Sequence, residues 1–220
     1  MNKLFIFLSL LFGLGNCFAD LLTWDSKCIS VSASPLDSSL TKTFHFANNT
    51  KQIIYITKWS TTCGCTVASV SQQILNPGEK GDLTVVYKPG KSTGLQKKPI
   101  AIEYETDDQH QYVELVTLDI DIKSAINIDP PVISVPEFPK DTALEINIRA
   151  KPEHKLASIE FRSPDTNITG NIHPNDENFQ LHLMVGSGFT GVKKCEIAAI
   201  FSDGTEKLYS LSVIRNKQLN

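Results

Sequence analysis

Apolar and polar residues alternate with a period of two along almost the whole chain, in runs too short for anything but β-strands. Phe44 and Phe46 flank His45, and the same spacing returns in Leu83, Val85 and Tyr87, in Ile100, Ile102 and Tyr104, and in Leu144, Ile146 and Ile148. Further on it continues through Ile159 and Phe161 and through Phe179, Leu181, Leu183 and Val185. Successive side chains of a strand point to opposite faces, so this period sends one set to a core and the other to solvent. No window keeps a helical period with caps for about a dozen residues, and the chain is expected to be all-β.

Turn signals separate the runs. In Asn76-Pro77-Gly78-Glu79 the proline pre-sets φ at the second position and the glycine accepts a positive φ at the third, as a type II turn requires. Pro89-Gly90 and Asp107-Asp108 mark two more turns, and Asp203-Gly204 predicts a hairpin joining Cys195–Phe201 to Tyr209–Val213. Two irregularities stand out. Val113 and Leu115 are out of phase with Val116, Leu118, Ile120 and Ile122, which predicts a β-bulge near Leu115. Asp129-Pro130-Pro131 interrupts the pattern, since proline donates no ladder hydrogen bond, and is taken as the boundary between two regions. The expected organisation is a leader over residues 1–19 and two tandem immunoglobulin-like antiparallel β-sandwiches over 20–125 and 126–220.

The leader reading rests on Lys3, the apolar run Leu4–Leu14, and the small and polar residues up to Ala19, after which cleavage is expected. A lipid anchor on Cys17 is the alternative, weakened by Asn16 before it. No later apolar run has transmembrane length, so the mature chain is expected to be exported, periplasmic or secreted. Net charge is −3 with Lys and Arg dispersed, which argues against a nucleic-acid partner.

Removal of the leader leaves Cys28, Cys63, Cys65 and Cys195. Cys195 is in phase with Ile197, Ala199 and Phe201 and reads as a small buried hydrophobe. Cys63-Gly64-Cys65 admits three readings. The two cysteines pair with each other across a sharp bend at Gly64, giving an easily reduced ring suited to redox work. Alternatively they offer thiolates to a soft metal such as copper, with Cys28 as a third ligand; structural zinc lacks its four ligands at suitable spacing. In the third reading they are structural, filling a corner or pairing with Cys28. Cys28 is out of phase with Ile29, Val31 and Ala33, points away from their face, and is the better candidate partner for Cys63 or Cys65.

Around this motif, Phe44-His45-Phe46-Ala47-Asn48-Asn49, Ser60-Thr61-Thr62-Cys63-Gly64-Cys65-Thr66-Val67, Asn76-Pro77-Gly78-Glu79-Lys80-Gly81 and Thr93-Gly94-Leu95-Gln96-Lys97-Lys98 occur in order. Over residues 24–122 the chain resembles a bacterial exported family of unknown function with a Cys-Gly-Cys-Thr motif, whose domain is related to the ASH-type immunoglobulin-like modules of ciliary and sperm proteins. The resemblance implies a fold and an exported location, with no settled activity.

Other signals are weak. Gly186-Ser187-Gly188-Phe189-Thr190-Gly191 has the glycine spacing of a dinucleotide loop, yet the strand-like Val192–Phe201 follows it instead of a helix, so a hairpin loop is expected. The histidines are dispersed, with His45 and His182 expected on solvent-facing strand positions, and no catalytic motif is present. The expected function is therefore a non-enzymatic, cofactor-free interaction or scaffold module for a protein or cell-envelope component. The alternative is a copper-binding or redox protein using Cys63 and Cys65.

Overall fold

The computed structural model describes residues 21–136, 140–175 and 178–215; the expected leader, with Cys17 and the Ala19 cleavage position, lies outside them. Every regular element among the described residues is a strand. The N-terminal half holds β1 (Leu22–Trp24), β2 (Cys28–Ala33), β3 (Leu40–Asn48), β4 (Ile54–Thr61), β5 (Thr66–Val70), β6 (Ile74–Leu75), β7 (Lys80–Tyr87), β8 (Gly94–Thr106) and β9 (Gln111–Ile122). The C-terminal half holds β10 (Ile126–Asp129), β11 (Val132–Ser134), β12 (Thr142–Ala150), β13 (Leu156–Arg162), β14 (Ile168–Asn175), β15 (Asn178–Val185), β16 (Gly191–Phe201) and β17 (Glu206–Arg215).

These strands form four sheets with orders β1-β3-β7-β5, β2-β9-β8-β4-β6, β10-β12-β15-β14 and β11-β17-β16-β13. The first two enclose one hydrophobic cluster, including Phe44, Ile54, Leu83, Tyr87, Ile102 and Leu118. The last two enclose another, including Ile148, Leu181, Phe189, Ile197 and Leu211. The alternating residues are the ones that turn inward, and each large side chain so buried contributes about 1.5–3 kcal/mol. The clusters part between Ile122 and Ala125.

The halves repeat one topology. In each, the first short strand pairs antiparallel within one sheet (β1 with β3, β10 with β12), and the second crosses to the other sheet to pair parallel with the last strand of its half (β2 with β9, β11 with β17). This corrects the reading of Asp129-Pro130-Pro131. The prolines fall inside the C-terminal half, between β10 and β11, where the chain leaves one sheet for the other and a missing N–H breaks no ladder.

Two further expectations change. No bulge occurs near Leu115: β8 and β9 pair without a shift from Gly94↔Ile122 to Glu105↔Gln111. The inward phase instead continues through Val116 to Glu114, and Val113 and Leu115 face outward. The register shifts lie in β4, between Ile56 and Lys58, and in β13, between Leu156 and Ser158. The Gly186–Gly191 segment is a crossing between sheets instead of a hairpin loop, because β15 pairs with β12 and β14 whereas β16 pairs with β13 and β17. Elsewhere the turn chemistry holds: Gly78 has φ 82°, Gly204 has φ 83°, and β16 and β17 form the expected hairpin.

The turn after β7 meets the start of β17. Lys207 Nζ donates to Gly90 O at 2.6 Å, Leu208 N to Lys91 O at 3.2 Å, and Thr93 Oγ1 to Leu208 O at 3.0 Å. Glu206 takes ion pairs from both Lys91 and Arg162. Lys207 is buried, and that burial pulls its ammonium below the usual lysine range.

Candidate functional site

β4 and β5 lie in different sheets, and the chain crosses between them through Thr62-Cys63-Gly64-Cys65. Cys63 and Cys65 form a disulfide with Cα atoms 5.3 Å apart. The bridge from Cys28 that the outward phase suggested is absent: Cys28 is an exposed free thiol on β2, 3.7 Å from Asp119 Oδ2. Its outward orientation agrees with the phase of β2, but a strand position pairing with Thr117 does not bring it to the corner. Cys195 is buried in the C-terminal core.

Hydrogen bonds surround the corner. Thr61 Oγ1 donates to Thr66 O at 2.9 Å and lies 3.3 Å from Cys63 O, while Thr66 N donates to Cys63 O at 3.3 Å. Lys88 N donates to Cys65 O at 2.8 Å. Trp59 Nε1 donates to Ala68 O at 2.9 Å. Thr61 and Trp59 thus occupy two outward carbonyls of β5, an edge strand that would otherwise expose them. The Thr66 hydroxyl is 3.5 Å from Cys63 Sγ and 3.8 Å from Cys65 Sγ. Cys65 also packs against the N-terminal core. Among the described residues no three His, Cys, Asp or Glu side chains come together to hold a metal ion. His45 and His182 are exposed, as expected.

A second constellation was not anticipated. Glu114, 4% exposed, stands on the inner face of β9. Its carboxylate accepts hydrogen bonds from the Tyr104 hydroxyl, from Trp24 Nε1 at 2.7 Å and from Leu22 N at 3.4 Å, and pairs with Lys27 Nζ at 2.9 Å. Tyr104 stacks on Tyr112 with centroids 5.4 Å apart. Burial first, then the hydrogen bond and charge of Glu114, hold the Tyr104 hydroxyl well above the usual tyrosine range. A raised folded value means stability is fully present below pH 10.0 and declines above it, as the unfolded chain ionises and the folded chain does not. Denaturant titrations at rising alkaline pH should show this decline, and Tyr104→Phe should flatten it.

Immediately outside Glu114 the sheet is open. β2 pairs with β9 only from Thr117 to Ile122, so among the described residues the segment 111–116 has β8 on one side and no ladder partner on the other. Thr117 N points to the β2 side, donating to Lys27 O at 2.8 Å. Antiparallel alternation therefore directs the N–H and C=O of Val113 and Leu115 to that uncovered side. Their side chains are 67% and 60% exposed.

The strand order and the paired sheets define an all-β, immunoglobulin-like sandwich architecture, with a Cys-Gly-Cys disulfide at one corner of its N-terminal half. Residues 22–117 match the family described as "Protein of unknown function (DUF1573)". No curated protein matches the chain. Similar solved structures include the VesB protease of Vibrio cholerae (12% identity, TM-score 0.41, 46% of this chain and 32% of that chain). A protein of unknown function from Porphyromonas gingivalis W83 is 12% identical, with TM-score 0.37 over 89% of this chain and 100% of that one. The ASH / PapD-like domain of human CEP192 is 11% identical, with TM-score 0.38 over 48% of this chain and 87% of that one. The chain spans about a third of the protease's length. The fold assignment rests on the strand order itself.

Proposed function

We propose that this chain is an exported, non-enzymatic interaction module of the cell envelope, periplasmic or secreted, that binds a protein partner by strand addition at β9. The observation that carries the reading is the segment 111–116, which among the described residues has no ladder partner on its outer side, so that backbone groups lie open beside the exposed Val113 and Leu115. Such an edge is a template for an incoming strand, with main-chain bonds giving affinity and alternate side chains giving choice of partner. A partner strand with apolar residues opposite Val113 and Leu115 fits it. The leader pattern over residues 1–19 supports export, and no helix among the described residues is long and apolar enough to cross a membrane. The copper alternative lacks support, because Cys63 and Cys65 are bonded to each other and Cys28 does not join them.

The test is site-specific photo-crosslinking in the source cells, with the photoreactive residue at position 113 or 115 and, as a control, at the exposed Thr41 on the outer face of β3, followed by fractionation. A discrete adduct at 113 and 115 in the envelope or secreted fraction, absent at 41, is expected. Adducts no stronger than the control, or retention of the protein in the cytoplasm, would overturn the reading.

A further inference from the structure

The corner that carries the disulfide has a counterpart that does without one. By topology β13 and β14 stand in the C-terminal half where β4 and β5 stand in the N-terminal half. Their connection closes through hydrogen bonds: Ser163 Oγ donates to Asp165 O at 2.9 Å and accepts from Asp165 N at 3.1 Å, and Asp165 Oδ1 accepts from Asn167 N at 3.0 Å. The Cys-Gly-Cys corner already has comparable bonds from Thr61 and the Thr66 amide. A bridge spanning one intervening residue also removes little entropy from the unfolded chain, since the entropic gain grows with loop length. The architecture therefore gains little stability from this covalent bond.

The chemistry around the bond is more informative. Thr66 is buried, yet its hydroxyl lies within 4 Å of both sulfurs, at 3.5 and 3.8 Å, where it can donate to whichever sulfur carries negative charge. Gly64 is exposed with nothing within 4 Å of where a side chain would begin, so the bend leaves room for an approaching thiol. We propose that Cys63–Cys65 is an exchangeable disulfide that accepts two electrons from a partner dithiol, with Thr66 as a positioning residue for the reduced pair. This does not rest on the β9 edge.

In the first step a thiolate of the dithiol attacks Cys63 Sγ, the sulfur not packed against the core. The S–S bond breaks, and its electron pair leaves on Cys65 Sγ, which receives the Thr66 hydroxyl. The second thiolate of the dithiol then attacks the partner sulfur of the mixed disulfide and expels Cys63 as a thiolate. The dithiol ends as a disulfide and the protein as a Cys63 thiol and a Cys65 thiolate held by the Thr66 hydroxyl; of the dithiol's two protons one passes to Cys63 and one to solvent. No further oxidant or reductant is needed.

The experiment uses the oxidised, folded protein in a Cys28→Ser background, equilibrated without denaturant in graded ratios of reduced to oxidised dithiothreitol, then alkylated and read by intact mass and peptide mapping. Expected are reversible reduction of Cys63 and Cys65 within minutes, an unchanged β-sheet circular dichroism signal, and about a tenfold higher dithiol ratio for half-reduction in Thr66→Val, the loss of one hydrogen bond to a charged group. Thr66→Ser, which keeps the hydroxyl, should behave as the parent. Reduction only in denaturant, loss of fold on reduction, or a Thr66→Val midpoint equal to the parent's in a folded variant would each overturn the proposal. If Thr66→Val does not fold, Thr66→Ala, which also lacks the hydroxyl, takes its place with the same expected and overturning midpoints.

Discussion

Glu114→Ala is expected to lower the stability of the N-terminal half by about 3–5 kcal/mol, because the Tyr104 hydroxyl, the Trp24 indole and the Leu22 amide lose a charged acceptor, each at a cost of about 1–3 kcal/mol. The carboxylate is the common acceptor for Trp24, Tyr104, Lys27 and the Leu22 amide, so its loss leaves the indole and the phenol without that acceptor. These contacts fasten β1 to the far sheet, because Leu22 and Trp24 belong to one sheet and Tyr104 and Glu114 to the other. Urea unfolding followed by tryptophan fluorescence reads the effect. Glu114→Gln, which keeps an acceptor but gives up the charge opposite Lys27, should fall between Ala and the parent. A loss under about 1 kcal/mol for Ala, within the range of an ordinary exposed pair, would mean that β1 is held by packing alone.

Arg215→Met should be the next largest, at about 2–4 kcal/mol, because a buried guanidinium leaves several carbonyls unanswered when removed. Arg215 donates to Gly186 O at 2.9 Å, Phe189 O at 3.4 Å and Lys140 O at 2.9 Å. It thereby pins the glycine-rich crossing from β15 to β16, in which Phe189 is buried in the core. That crossing is a structural strap: Gly186 and Gly188 pack against Asn167, where an added Cβ would come within 3.3 and 3.0 Å. Hydrogen exchange at the Phe189 amide, bonded to Gly186 O at 3.1 Å, should rise in the variant before global unfolding. Unchanged protection there would show that the strap holds without the arginine.

The strands were legible because strand burial and period-two alternation are the same fact seen from two sides, as Leu83, Val85 and Tyr87 illustrate. Turn positions followed from glycine and proline geometry at Gly78 and Gly204. What went unread were polar groups at inward positions. Glu114 occupies an inward slot between Tyr112 and Val116, and reading hydrophobicity alone placed a phase break there. The continuous even phase from Tyr112 to Ile122 would have identified a buried acid. Arg215 and Lys207 escaped for the same reason, since long cationic side chains at strand ends are usually solvated. The Cys63–Cys65 bond was one of three open readings, because pairing depends on where Cys28 lies in space. The repeated topology was invisible because it resides in which sheet each strand joins, and the two halves reach it with different residues, a disulfide corner in one and a serine–aspartate turn in the other.

The parallel pairing of the second strand of each half with its last strand determines how the chain would bear a load. Tension applied through the chain pulls β2 toward its N-terminal end and β9 toward its C-terminal end, in opposite senses along parallel strands, so their hydrogen bonds are loaded together in shear instead of being unzipped one at a time. The β2–β9 ladder runs over Cys28↔Thr117 to Ala33↔Ile122, whereas β11–β17 runs only over Val132↔Ser212 to Ser134↔Ile214. With three residue pairs against six, the β11–β17 clamp is expected to yield to stretching at a lower force than the β2–β9 clamp.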